Sequence, residues 1–450
     1  MVNAGTAVMR YAVSGKYRNR CPGTRRPGTL ICWFMTDRSR RRFIAKAARG
    51  CAAAMAAGCI VPGGANPFLQ GTVDSLLETT GYSHLPEAAV SPGVKGPASG
   101  RVSRDSYNSG ISAGREAMFY TRLNGNRVRC ELCARRCEIG QGRRGFCRVR
   151  ENRRGTLFSL VYGRPAGLQV DPVEMEPMYH MVPGHSNLCV FTASCNFRCR
   201  HCHNWHVSQR GPEEVASSEI TPAGVVGEAV RRGCRSVSHS INEPTIFYEY
   251  MYDIAGLAKE RGLMTLFHTN GYISPQPLRR LLPFMDGVTV DLKGFSPDFY
   301  HEVSSAEPGP VLESLRIIRQ ERVHLEIVNL VIPTLNDDRG HIEAMCSWIA
   351  ENLGDDVPLH FNRFSPSYRL TGLPHTPVET LEDAAGIANG RGLKYVYIGN
   401  VAKHRNSSTW CPQCGTRLIH RTHVAVLDID MVNGRCGGCG FRIAGIWDEQ

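Results

Sequence analysis

Between residues 188 and 400, short apolar runs alternate with helical patterns at intervals of roughly 25–35 residues, the rhythm of strand–helix units. Candidate strands fall at 188–192, 235–240, 263–269, 287–292, 323–332, 358–364 and 394–398. Thr221 before Pro222 reads as a helix start and Gly233 as its end. Pro244 opens the next helix, which ends near Gly262. Such alternation favours an α/β fold with a parallel sheet, open or closed into a barrel. Polar groups sit at or just past the predicted strand ends: Asn242-Glu243, Thr269-Asn270, Asp291 and Lys293, Asn336-Asp337, and Arg363. The carboxyl ends of barrel strands face the active site, so these residues are expected to converge on one mouth.

Cysteine is the second constraint. Of 18 cysteines in 450 residues, eleven fall in three groups: Cys130/133/137/147, Cys195/199/202 and Cys411/414/436/439. Short C-x-x-C spacings in a long chain favour metal ligation over a disulfide framework. The central group, Cys195-Asn196-Phe197-Arg198-Cys199-Arg200-His201-Cys202, follows the first predicted strand. Three thiolates leave one iron of a cubane cluster open. A structural zinc ion would want a fourth ligand, which His201, His203 or His206 could supply, so zinc stays open from the residues alone.

C-x3-C-x2-C after the first strand of such a barrel resembles the signature of the radical S-adenosylmethionine (SAM) superfamily. That resemblance implies a partial parallel (β/α) barrel and a 4Fe-4S cluster on Cys195, Cys199 and Cys202, with SAM on the open iron. It also implies reductive cleavage of SAM to a 5′-deoxyadenosyl radical that abstracts hydrogen from a substrate, with a reducing electron donor as partner. Asn242-Glu243-Pro244-Thr245 occupies the place of the family's G-G-E motif, with Glu243 as the matching acid. His268-Thr269-Asn270-Gly271 and Asp291-Leu292-Lys293-Gly294 resemble SAM-lining segments of glycyl-radical-enzyme activases. Asn242, Glu243, Thr269, Asn270, Asp291 and Lys293 are therefore the expected cofactor-binding residues. Two departures stand out. His268 replaces an acid that helps hold a monovalent cation in some members, and His201 replaces an aromatic residue beside the adenine.

The flanking groups read differently. Cys411-x2-Cys414-Gly415 and Cys436-x2-Cys439-Gly440, with 21 residues between them, form a zinc-ribbon pattern whose glycines let amides turn toward sulfur. A redox C-x-x-C is the alternative. Cys130, Cys133, Cys137 and Cys147 lie within 18 residues and suit structural zinc or an auxiliary iron–sulfur cluster. Cys189, Cys234 and Cys346 read as buried apolar thiols.

A longer series is more specific: Cys130-Glu131-Leu132-Cys133-Ala134-Arg135-Arg136-Cys137, Gly145-Phe146-Cys147, Asp171-Pro172-Val173-Glu174, Pro177-Met178-Tyr179-His180, His324-Leu325-Glu326 and Val331-Ile332-Pro333-Thr334-Leu335-Asn336-Asp337. It is similar to the radical SAM enzyme of the AmmeMemoRadiSam system, itself similar to pyruvate formate-lyase activating enzyme. The resemblance implies AMMECR-type and Memo-type partner proteins and hydrogen abstraction from a protein, peptide or small molecule. His360 and Arg363 are plausible substrate contacts.

Charge separates these readings from a nucleic-acid one. Residues 1–50 hold 12 Lys/Arg and one acid, or +11 of the chain's +12. The local exception is 115–154, with 12 Arg against four Glu, or +8. It reads as a solvated face or as an RNA-binding surface, and the latter would make the chain an RNA-modifying enzyme. A non-enzymatic metal-cluster scaffold in a partner complex is the other rival. No run of eighteen apolar residues suggests a membrane-spanning helix. Ser39-Arg40-Arg41-Arg42-Phe43-Ile44 resembles a twin-arginine (Tat) signal and suggests a start at Met35; a basic tail with an alanine-rich helix is the alternative. Cytoplasmic cluster assembly followed by Tat export fits that signal. The expected organisation is an extension at 1–66, a linker at 67–115, a Cys-rich subdomain at 116–180, a barrel core at 181–402 and a zinc-ribbon-like tail at 403–450.

Overall fold

The computed structural model describes residues 114–448, so the Tat-like segment, the Met35 start and nearly all of the linker lie outside the described residues. The first elements are short strands: β1 (Arg115–Glu116), β2 (Tyr120–Leu123), β3 (Arg127–Cys130), β4 (Glu138–Ile139), β5 (Arg150–Arg153) and β6 (Thr156–Ser159). They form two antiparallel three-stranded sheets, β2-β3-β4 and β1-β6-β5. Strands this short hold register poorly on backbone pairing alone. Asn152 supplies the missing tie, donating to Asn126 O at 2.7 Å and Ile139 O at 2.8 Å across the two sheets. Buried Arg150 then anchors them to the barrel through Glu249, at 3.0 and 3.2 Å.

The main sheet has eight strands: β7 (Gly167–Pro172), β8 (Ser186–Phe191), β9 (Ser236–His239), β10 (Met264–Thr269), β11 (Gly287–Asp291), β12 (His324–Val331), β13 (Leu359–Arg363) and β14 (Val396–Gly399). They lie side by side in sequence order; β8 to β14 are parallel and β7 is antiparallel to β8. The two edges, β7 and β14, do not pair, so the sheet is a partial barrel. The seven predicted strands are all present, each within two residues of its expected limits. The edge strand β7 was missed.

Helices α1 (Pro222–Arg231), α2 (Tyr248–Glu260), α3 (Pro275–Leu281), α4 (Pro308–Gln320), α5 (Arg339–Leu353) and α6 (Val378–Gly390) connect the parallel strands. Thr221 caps α1 as expected, accepting from Gly224 N at 3.1 Å, and Gly233 turns the chain out at φ +67°. Val225, Ile254, Leu315, Ile349 and Leu381 of these helices pack with Val190, Val237, Phe267, Val288 and Ile327 into one core. The sheet is therefore fixed from outside by apolar packing, which leaves its concave face for polar chemistry.

The C-terminal strands β15 (Thr409–Trp410), β16 (Arg417–Thr422), β17 (Ala425–Ile429), β18 (Met431–Val432) and β19 (Arg435–Cys436) form small antiparallel sheets. This tail seals the amino-end side of the barrel. It packs on the 173–185 loop that enters β8, with Ile446 bridging Met181 and buried Arg421 paired with buried Glu174 at 3.3 Å. Beneath β12 to β14, Glu326 accepts from His324 (3.0 Å), His360 (2.7 Å) and the amide of His180 (2.7 Å). His180 in turn reaches Tyr397 at 2.5 Å and Ala444 O at 2.6 Å.

Candidate active site and cysteine centres

The loop after β8 carries Cys195, Cys199 and Cys202, and its shape is imposed by neighbours at the carboxyl end of the sheet. Asn242 accepts from Thr192 N (3.0 Å) and donates to Thr192 Oγ1 (3.1 Å) and Ser194 O (2.9 Å). Ser194 adopts φ +77°, a strained conformation for a non-glycine residue, and the Asn242 bond to its carbonyl helps hold it there. Arg198 braces the same loop through the carbonyls of Cys195 and Phe197, each at 2.8 Å. Ser208 lies 3.1 Å from Cys202 Sγ and Ser304 lies 3.6 Å from Cys199 Sγ.

Glu243 lies buried at the end of β9, and burial pushes its carboxyl up. The same carboxylate accepts from Asn270 N (2.8 Å), Thr245 N (3.0 Å) and Thr269 Oγ1 (2.7 Å). Asn270 extends this cluster to the cysteine loop, donating to Asn196 Oδ1 at 2.8 Å with Cys195 Sγ at 3.9 Å. On the far side Lys293 Nζ pairs with Asp291 at 2.9 Å. Burial opposes both charges, yet their mutual attraction prevails and holds Lys293 above and Asp291 below its ordinary range. The Lys293 ammonium also senses the Cys199 and Cys202 thiols.

His268 sits between two carboxylates, with Nδ1 3.1 Å from Glu176 and Nε2 3.7 Å from Asp291, the latter an ion pair beyond hydrogen-bond length. Burial lowers an imidazolium, but these partners outweigh it and push His268 up to about 10. The position that raised doubt about a cation site thus carries a fixed positive charge of its own. Buried His201 goes the other way: burial, then Lys293, lowers it to about 3, so it stays neutral.

Glu243, Asn270, Lys293 and the three cysteines are thus brought together at one mouth. Asn242 and Thr269 are engaged within the chain. The Asn242 amide is engaged by the cysteine loop, and Thr269 Oγ1 donates to Glu243 while accepting from Gly271 N at 3.1 Å. Asp291 acts through Lys293 and His268. Asn336 likewise faces the chain, binding Lys293 O and Leu330 O at 2.8 and 2.9 Å. His360 and Arg363 are both engaged within the chain. His360 lies near the amino end of β13 under Tyr397, and Arg363 donates to Thr376 O at 2.8 Å. Sequence reasoning missed Glu176, which enters the barrel from the 173–185 loop and reaches Ser238 at 2.6 Å. Its only signal was an acid inside the Asp171–Pro177 segment.

A 4Fe-4S cluster and SAM fit this site. Three thiols and an ammonium converge, and Ser194 Oγ, His201 Nδ1 and His268 Nε2 are buried there without hydrogen-bond partners. The four C-terminal cysteines are close enough together to hold a metal ion. All four Sγ atoms lie within 4.8 Å of one another, with Cys411–Cys439 and Cys414–Cys436 at 3.6 Å. Gly415 and Gly440 take φ +74° and donate to Cys411 O and Cys436 O at 2.9 Å, the knuckle turns read from the sequence.

A partial parallel barrel with this constellation at its carboxyl end defines a radical SAM enzyme, and the "Radical SAM superfamily" sequence profile matches residues 189–346. The chain belongs to that superfamily. Within it, the chain is 42% identical to "Uncharacterized protein MJ0808" of Methanocaldococcus jannaschii, over 73% of this chain and 98% of that protein, and shares its family. It is more distantly similar to the pyruvate formate-lyase-activating enzyme of Clostridium pasteurianum, at 26% identity over 36% of this chain and 68% of that one. Among solved structures, a radical SAM methyltransferase from Sphaerobacter thermophilus aligns at 15% identity, covering 53% of this chain and 71% of that one, with a TM-score of 0.39.

Proposed function

We propose that this enzyme abstracts hydrogen from a protein or peptide substrate. The carrying observation is the convergence of Cys195, Cys199 and Cys202 with Glu243, Asn270 and Lys293 at the open end of the barrel. When bound there, cluster and SAM supply one-electron cleavage of the sulfonium and a carbon radical that takes a hydrogen atom. Glu243, held by three donors, presents a fixed carboxylate beside Cys195 for a cationic amino group. Lys293 offers an ammonium to a carboxylate, and the Asp291–His268–Glu176 chain keeps that ammonium charged and in place.

Similarity to a pyruvate formate-lyase-activating enzyme, whose name gives a protein as its target, supports a protein or peptide substrate. The AmmeMemoRadiSam placement, with AMMECR-type and Memo-type partners, is part of this reading and rests on the motif series. So is zinc at the C-terminal tetrad, where a closed four-thiolate set suits a structural ion. The RNA reading loses some support because part of the arginine-rich stretch is paired with acids. Arg127 and Arg129 meet Glu138, Arg136 meets Glu131, Arg144 meets Glu151 and Glu213, and Arg150 is buried on Glu249. The test is deuterium transfer into 5′-deoxyadenosine from uniformly deuterated partner proteins, peptides, metabolites or RNA. Label from a protein or peptide supports the proposal; label only from RNA or a metabolite refutes it.

A further inference from the structure

The N-terminal cysteines form a centre of their own. Cys130, Cys133, Cys137 and Cys147 all line one tight cavity, together with apolar Leu132, Ile139, Phe146 and Ile246 and a few polar side chains. The Phe146 amide donates to Cys137 Sγ at 3.5 Å. An amide donating to sulfur disperses thiolate charge, as metal-bound cysteines require.

Two observations choose the group. The first is sulfur spacing. Four thiolates on one zinc ion at about 2.3 Å stand roughly 3.8 Å apart. Among the described residues, only the C-terminal tetrad gathers three or more such ligands within 4.8 Å of one another. The N-terminal four do not, and neither do Cys195, Cys199 and Cys202, whose cluster needs one thiolate at each of three iron corners. The second is an excess of unsatisfied donors. Arg150 Nε, Asn196 Nδ2 and Thr245 Oγ1 are buried without partners, and all three residues line this cavity. A lone zinc ion offers them only the sulfurs of its four thiolates, whereas a cubane adds four sulfide acceptors. The Arg150 guanidinium also places positive charge beside Cys130 and Cys147.

We propose that Cys130, Cys133, Cys137 and Cys147 ligate a second 4Fe-4S cluster. Its four irons all have protein ligands, so it leaves no site for SAM. Asn196 lines this cavity and also lies 3.8 Å from Cys195 Sγ, which makes the two clusters neighbours.

The experiment is metal and sulfide analysis with electron paramagnetic resonance on anaerobically prepared full-length protein. Wild type is expected to hold about eight irons and eight sulfides, and the Cys195→Ala/Cys199→Ala/Cys202→Ala variant about four of each, as two cubanes and then one. The variant's reduced signal should not change with SAM, and adding Cys133→Ser and Cys137→Ser should abolish it. Wild type with about four irons and two zinc ions would overturn the proposal, even if the variants fail to fold. So would iron that survives loss of Cys133 and Cys137. None of these readouts depends on SAM cleavage or on the substrate.

Discussion

Replacing Asn242 by Ala removes three hydrogen bonds from the loop that carries the central cysteines. Thr192 and Ser194 are both buried, so the amide of Thr192 and the carbonyl of Ser194 are left without partners. Each orphaned group costs about 1–3 kcal/mol. The Thr192 hydroxyl can rotate and water can enter part of the vacated volume, so about 3 kcal/mol for the pair is a fair working figure. At about 1.4 kcal/mol per tenfold, the loop would open roughly 100-fold more often. Iron loss to a chelator, followed by the cluster's visible absorbance, should accelerate toward that factor. SAM affinity of the remaining loaded protein should change by no more than about threefold, because Asn242 spends its amide on the loop. Normal iron retention with lost SAM affinity would refute this reasoning and restore Asn242 to the cofactor.

Other outcomes follow from the buried charges. His268, pushed up to about 10, contributes its full stabilisation below about pH 6.5 and loses it as pH rises through 10. His268→Leu should therefore lower the melting temperature at pH 7.5, and the gap from wild type should narrow at pH 10.5; a gap that stays constant contradicts the ion-pair chain. Glu326→Gln leaves two imidazoles and an amide with a weaker acceptor, and should cost roughly 3–5 kcal/mol in thermal or urea unfolding. An effect below about 1 kcal/mol would show the cluster under the barrel to be dispensable. Cys436→Ser should release one metal ion per chain and make residues 409–448 protease-sensitive, since buried Cys436 packs with Tyr395, Leu418 and Ile419. Unchanged metal content and protease resistance would count against a metal-folded tail.

The seven parallel strands were legible because each is covered on its outer face by helices and needs an apolar run, as in Gly287-Val-Thr-Val-Asp291. Strand β7 lacks that signature. It is a half-exposed edge strand, Gly-Leu-Gln-Val-Asp-Pro, and antiparallel pairing with β8 is what defines it. The mouth was legible for a geometric reason: polar residues at strand ends need only the barrel to converge. Roles within the mouth were not legible. Motif position puts Asn242 and Glu243 side by side, but it is the fold that binds the first to Thr192 and Ser194 and the second to Asn270. The polar cluster under the barrel joins His180, His324, Glu326, His360 and Tyr397 from four separate stretches of chain. The motif segments ending in His180 and holding His324 and Glu326 marked its members, but not that they meet.

The most direct test of the central claim is 5′-deoxyadenosine formation from SAM by the anaerobically reconstituted, chemically reduced full chain. Wild type should produce 5′-deoxyadenosine and methionine, and Cys195→Ala, which removes the thiol beside Glu243 and Asn270, should produce none above background. An intact cluster and undiminished cleavage in Cys195→Ala, or no cleavage by a fully loaded wild type, would contradict the account.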